Sequence, residues 1–344
     1  MRPSGVERHA SDAPSVTTRR RLGVWRWRKR ALVGLCGMIV VAIAAGAAYQ
    51  WIATRNDLVA NPPPGRLVDV GGHRLHILCT GAGEPTVVLE SGLGGAGTVG
   101  ANLVQTEVSK FTRVCSYDRA GMGYSEPGPS PRTARRIVQE LALLLDRSGI
   151  RGRLILVGES IGGLYMRVYA SEYEERVAGL VLVDASHEAQ EMTVPGIAPL
   201  VPLLSSTGVF RLLGVSFGGD PESMPLAVRG SARATAFRAS AYQATADEGT
   251  HLPETAAEVR ATRRKLAIPL VVVTAGLGAD PEWQRMQRDQ VALSAQGCQV
   301  IAEQSGHVIA LRQPGAIVKP VRAMVSMARE RKIVQLCGNH TREP

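Results

Sequence analysis

Beyond its first thirty residues, this 344-residue chain has little excess charge. Residues 1–30 hold nine Lys/Arg and two acids, so they carry +7 of the total +10 and leave +3 for the other 314 residues. A nucleic-acid-binding domain needs its basic patch on the folded part. The high pI therefore belongs mostly to a tail and is poor support for that class. From Arg66 onward there are no internal repeats and no low-complexity tracts. That length suits one large domain, or a domain with an inserted lid.

Charge is absent altogether from Ala31 to Ala53, "ALVGLCGMIVVAIAAGAAYQWIA". A helix of that length reaches across the ~30 Å hydrocarbon core of a bilayer. Tyr49 and Trp51 stand at its far end, where amphipathic rings favour the interface. The basic flank (residues 1–30) precedes the run and Arg55 is nearly alone after it, so the positive-inside rule places the N-terminus in the cytoplasm. The expectation is a single-pass signal anchor over 31–53 with the rest of the chain extracytoplasmic. The alternative is secretion after cleavage at the A-x-A-like "AGAAYQ". "TTRRRL" weakly resembles a twin-arginine signal but sits well ahead of the apolar run. Residues 54–65, with three consecutive prolines, make an extended linker.

Cysteine is also sparse. Cys36 falls in the apolar run, and Cys79, Cys115, Cys298 and Cys337 fall beyond it. Outside the cytoplasm an even set of this kind tends to pair. The other reading is four buried apolar thiols.

Across the globular part, apolar β-branched runs alternate with helical patterns. Strands are expected at 66–70, 73–79, 86–91, 112–118, 153–159, 178–184, 269–276 and 298–304. The last five read as continuous apolar runs, buried on both faces. Helices are expected at 132–147, 161–175, 281–296 and 314–330. Such alternation means an α/β fold with a mostly parallel sheet and helices on both faces. The first two strands, joined by "GG", form an antiparallel hairpin. Residues 185–266 contain no convincing strand and become mostly helical from about Ala232, which marks a lid insertion. The core is then 66–184 plus 267–344.

Two motifs compete for the chemistry. "TVVLESGLGGAG" ends in G-x-G-x-x-G, with Gly92, Gly94 and Gly97 in register and Asp118 downstream. Locally this is a dinucleotide fingerprint, and it would make the chain a nicotinamide-dependent oxidoreductase. "LILVGESIGGLYM" is the more specific signal. A buried-type strand runs through G-E-S-I-G straight into a helix, so Ser160 would sit on a sharp turn that needs Gly158 and Gly162 beside it. The N–H of Ile161, at the helix N-terminus, would then be free to stabilise an oxyanion.

A serine nucleophile needs a base and an orienting acid. Histidines are few: only His187, His251, His307 and His340 follow Ser160. His307, after the strand at 298–304 in "EQSGHVIALRQPG", is the candidate base, whereas His187 and His251 fall in the lid and His340 is nearly terminal. For the acid, Asp280 in "LGAD" is favoured because it gives the order Ser…Asp…His after the penultimate strand. Asp184, ending "LVLVD", is the alternative.

From about Arg66 to Glu330 the chain resembles the α/β-hydrolase superfamily. The residues carrying the resemblance are "ESGLGG", "YDRAGMGYSE", "GESIGG", "LVDASHE" and "SGH". It implies an eight-stranded, mostly parallel sheet with a helical lid, and a serine hydrolase without a cofactor or metal. Carried over by motif, Ser160 is the nucleophile, His307 the base and Asp280 the acid, with Ile161 and Leu93 lining the oxyanion hole. Many relatives have His-Gly where this chain has Ser91-Gly92, so Leu93 is the less direct assignment. The "DRAGMGYS" stretch, starting at Asp118, is a structural turn in the family. Because the elbow holds Ser, not the Asp of epoxide hydrolases and haloalkane dehalogenases, the implied reaction is acyl transfer to water. A lid rich in Ala and Leu suggests an apolar pocket for a small-molecule substrate. An ester is favoured, with thioester, lactone, amide, aminopeptidase-type or C–C cleavage as alternatives. A catalytically inactive binding module is a further alternative. The family's sheet order puts the second and fourth strands side by side, which implies a Cys79–Cys115 disulfide and leaves Cys298 and Cys337 as candidates for a second.

Overall fold

In the computed structural model, the described residues are 16–95, 97–191, 198–278, 280–330 and 336–337. Half of the expected basic tail (residues 1–15), part of the lid interval (192–197) and His340 lie outside them. The strands are β1 (Arg66–Asp69), β2 (Arg74–Thr80), β3 (Thr86–Glu90), β4 (Val114–Tyr117), β5 (Leu154–Glu159), β6 (Val177–Val183), β7 (Leu270–Ala275) and β8 (Gly297–Ala302). The helices are α1 (Val16–Ala60), α2 (Gly97–Gly100), α3 (Asn102–Val108), α4 (Ala134–Arg147), α5 (Gly162–Glu172), α6 (Val201–Ser206) and α7 (Val209–Leu212). They continue with α8 (Leu226–Ala236), α9 (Ala239–Thr250), α10 (Leu252–Ala261), α11 (Pro281–Val291), α12 (Ile309–Arg312) and α13 (Gly315–Glu330).

The eight strands form one sheet in the order β1-β2-β4-β3-β5-β6-β7-β8. Only β2 runs antiparallel, to β1 and to β4, and every other pairing is parallel. The central strands β3 to β7 are buried along nearly their whole length, which is why their sequences read as unbroken apolar runs. The expectation fails at β8. It is an edge strand, and five of its six residues are half-buried or exposed.

Two apolar layers cover the sheet. α4 and α5, with α10 and α11, pack on one face; α3 and α13 pack on the other. The amphipathic stripe of α4 (Ile137, Val138, Leu141, Leu144, Leu145) is fully buried. Cys79 and Cys115 face each other across β2 and β4 and are joined by a disulfide. A second disulfide joins Cys298 of β8 to Cys337, and Cys36 is free and exposed.

Within the interval expected to be a lid (185–266), residues Ala198 to Ala261 lie between β6 and β7 as a set of 3₁₀ turns and helices α6 to α10, with no strand among the described residues. α1 is a single helix whose portion Trp25–Ala60 is long and apolar enough to cross a membrane, with a mean hydropathy of 2.4 in its most apolar window.

Candidate active site

The parallel strands β5 and β6 end side by side, and each ends in a residue with positive φ. Ser160 follows β5 with φ 54°, and Asp184 follows β6 with φ 40°. A non-glycine residue held there is strained by about 1–3 kcal/mol, so the surroundings must fix it. The Ser160 N–H donates to Val183 O (3.0 Å), and Ser160 O accepts from Gly163 N (3.0 Å) and Ser186 N (2.9 Å). The Asp184 N–H donates to Val273 O at 2.6 Å. The elbow is crowded as its spacing required. A Cβ on Gly158 would lie 2.6 Å from Gly162 O, and one on Gly162 would lie 2.6 Å from Ser91 O.

His307 stands on the loop between β8 and α12. Its Nε2 is 3.0 Å from Ser160 Oγ and its Nδ1 is 2.6 Å from Asp184 Oδ2. The Asp184 bond holds the imidazole pKa above its ordinary value, outweighing burial, with the Asp184 and Glu159 charges adding to the rise. The second carboxylate oxygen, Asp184 Oδ1, accepts the Ala275 N–H (3.1 Å) and the Trp283 indole N–H (2.9 Å).

This geometry corrects the expectation for Asp280. It is the N-cap of α11, in extended conformation (φ −76°, ψ 165°), and its Oδ1 accepts the Trp283 backbone N–H at 2.7 Å. Among the described residues no hydrogen bond links it to His307. The acid at the histidine is Asp184, held at the entry to the lid. The segment after it is pinned by charge. Burial pushes the Glu188 carboxyl up, but bonds to Arg167 and Arg263 outweigh this and leave it well below the carboxylate range.

The comparisons with known proteins bear on the fold that carries this site. The chain has the α/β-hydrolase fold. A family model described as "alpha/beta hydrolase fold" matches residues 85–211. The enol-lactonase from Burkholderia xenovorans LB400 superposes with a TM-score of 0.59 at 20% identity, covering 76% of this chain and all of that one. The uncharacterized protein YbdG of Bacillus subtilis (strain 168) is 25% identical over 197 residues, which are 55% of this chain and 61% of that protein. The 2-hydroxy-6-oxo-2,4-heptadienoate hydrolase of Pseudomonas putida is 35% identical over 150 residues, 41% of this chain and 54% of that enzyme. In each of these two sequence relatives the chain spans less than two thirds of the relative's length.

Within the α/β-hydrolase fold, the glycines that fit a dinucleotide pattern have other duties. A Cβ on Gly92 would lie 3.2 Å from the Ser160 Cβ, and one on Gly97 would lie 2.0 Å from Tyr117 O. Asp118 is fully buried and accepts from Thr98 N, Tyr124 N and Thr98 Oγ1, with His76 Nδ1 2.9 Å away. It organises a turn. Among the described residues, the N–H groups of Ile161 and Leu93 have no acceptor in the protein.

Ser160, His307, Gly92 and Leu93 line one cavity of about 600 Å³, whose far wall includes Phe217 and Tyr242 of the lid. His187 and His251 take other partners: His187 Nε2 lies 2.9 Å from Asp289, and His251 Nδ1 lies 2.7 Å from Asp247.

Three site residues escaped the sequence reading. Trp283 closes over His307 edge-on, with 6.1 Å between ring centroids, while its indole N–H holds Asp184. Glu159 borders the cavity, and its side chain makes no hydrogen bond among the described residues. Burial pushes its carboxyl up to about 7; His307 opposes the rise and Asp184 adds to it. Arg119, fully buried, bonds Glu90 (2.5 Å), Glu248 of α9 (2.8 Å) and the carbonyls of Ser91 and Gly92 (both 2.9 Å). It ties the loop carrying Leu93 to the lid. Helical position could have flagged Trp283, since an N3 residue after an Asp cap faces back along the loop; a lone Arg in a turn carries no such signal.

Proposed function

We propose that the chain is a serine hydrolase that cleaves an acyl bond, with a carboxylic ester as first choice. Ser160 attacks the carbonyl carbon while His307 Nε2 takes the hydroxyl proton. The resulting oxyanion is held by the N–H groups of Ile161 and Leu93. His307 returns the proton to the leaving alcohol, and water then hydrolyses the acyl-enzyme by the same relay. Asp184 holds the Nδ1–H tautomer and stabilises the imidazolium.

The single observation that carries this reading is the Ser160–His307–Asp184 chain of contacts at 3.0 and 2.6 Å. Hydrolase names among the relatives favour the same class. The apolar α1 favours a membrane anchor with the N-terminus cytoplasmic and the catalytic domain across the bilayer, where the two disulfides would be stable.

A fluorophosphonate probe tests the assignment. The wild-type protein is expected to be labelled and Ser160→Ala to lose labelling completely. A labelled alanine variant would refute Ser160 as nucleophile. A panel of p-nitrophenyl esters, lactones and amides then ranks the bonds cleaved.

A further inference from the structure

The uncharged stretch 31–53 is roughly 34 Å long as a helix, slightly more than the ~30 Å hydrocarbon core it would cross. Its last two turns are not free. A Cβ on Gly46 would lie 2.5 Å from Thr207 O, and one on Gly208 would lie 3.1 Å from the Tyr49 ring. Gln50 is 4% exposed; its amide donates to Phe237 O, and its carbonyl accepts from Arg211 Nε at 3.1 Å. Two turns further on, Asp57 pairs with Arg211 at 2.6 Å. The lid is thus docked on α1 at the depth where the helix leaves the hydrocarbon.

Four leucines stand on the segments flanking Thr207 and Gly208. Leu200, Leu203, Leu212 and Leu213 are 54%, 51%, 69% and 69% exposed. A patch of large exposed apolar side chains calls for a partner. At this depth the partner is the boundary of the bilayer that α1 spans, and Tyr49 and Trp51, both exposed, share that level. The patch also leads to the active site. Val215 follows it, and residues Ser216 to Gly219 then line the cavity, with Phe217 packed on Phe210 and Tyr242.

We propose that the lid edge from Leu200 to Val215 is immersed in the outer boundary of the membrane, and that the cavity takes acyl substrates dissolved in the bilayer, such as long-chain esters. The substrate part rests on the serine-hydrolase reading above.

The test uses the full chain in phosphatidylcholine nanodiscs. In a Cys36→Ser background, Leu203→Cys and Leu213→Cys are labelled with an environment-sensitive fluorophore, and Arg151→Cys, before β5, serves as reference. Quenching by nitroxide-bearing lipid is expected at both leucine positions and not at 151. Quenching no stronger than at 151 would overturn the proposal. A second measurement compares p-nitrophenyl palmitate in the bilayer with p-nitrophenyl acetate in water. Replacing the four leucines by Gln is expected to slow the first by about tenfold or more, through lost interfacial burial, and to leave the second within about twofold. Equal effects on both substrates would overturn bilayer access. Fluorophosphonate labelling in the same discs reports separately on the hydrolase reading, because its loss in the wild type sinks that reading without moving the quenching result.

Discussion

The loops after β6 and β7 make an instructive pair. Neighbouring parallel strands end at the same edge of the sheet, and each is followed by an aspartate. After β6, Asp184 comes at once, in a strained turn, and points its carboxylate at His307. After β7, the chain continues through a short Gly-containing loop, and Asp280 meets the start of α11. One acid is spent on an imidazole, the other on a helix end. The two are still linked: Asp280 fixes the start of the helix that carries Trp283, and Trp283 holds Asp184. The histidine's partner is therefore set by backbone conformation at the strand end, not by which strand the acid follows.

The comparison breaks most visibly in the variants of the two acids. Asp184→Asn should lower kcat by about 10³–10⁴-fold, as loss of the orienting acid does in such triads. It should also move the acid limb of the pH–rate profile to lower pH. The Asp184 bond is the largest factor raising the His307 pKa, and the base works only when neutral. Stopped-flow ester hydrolysis from pH 5 to 9 checks both effects. Trp283→Phe removes one donor to Asp184 while keeping a ring beside His307. A loss of about tenfold in kcat with little change in KM is expected, near the lower end of the roughly 1.5–3 kcal/mol of a hydrogen bond to a charged group. Asp280→Asn should stay within about threefold of wild-type kcat, with at most about 1 kcal/mol of stability lost because Asn is also a good cap; thermal melts and the same assay read it.

Asp184 and Asp280 both lie between Ser160 and His307 in sequence, so chain order does not separate them. What separates them is written locally. In "ADPEW", Asp280 is followed by Pro281 at the first helical position, with Glu282 next, and that is a helix-start signature. The strands were legible because burial on both faces demands unbroken apolar runs, and β8 misled for the converse reason: an edge strand can carry an apolar sequence. The elbow was legible because backbone crowding leaves only glycine at Gly158 and Gly162. Arg119 with Glu90 and Glu248 was not legible. It joins residues 29 and 129 positions apart, and no local pattern encodes such a pairing.

A separate effect, on stability rather than on turnover, concerns the residue before the elbow serine. Glu159 has its carboxyl pushed up to about 7 by burial, against an ordinary value of 4.5. The fold thus favours the neutral acid, and its contribution is present below pH 4.5 and lost as pH rises through 7. Glu159→Gln should raise Tm relative to wild type at pH 8 and leave it nearly unchanged at pH 4.5. A Tm difference that does not grow across that window would contradict the assignment.

The most direct test of the central claim reads the imidazole itself. The His307 Nδ1 proton, shared with Asp184 at 2.6 Å, should give a strongly downfield ¹H resonance in an ¹⁵N-edited spectrum. The resonance should persist in Asp280→Asn and vanish in Asp184→Asn. If it survived in Asp184→Asn and disappeared in Asp280→Asn, the acid would be Asp280 and the account would be wrong.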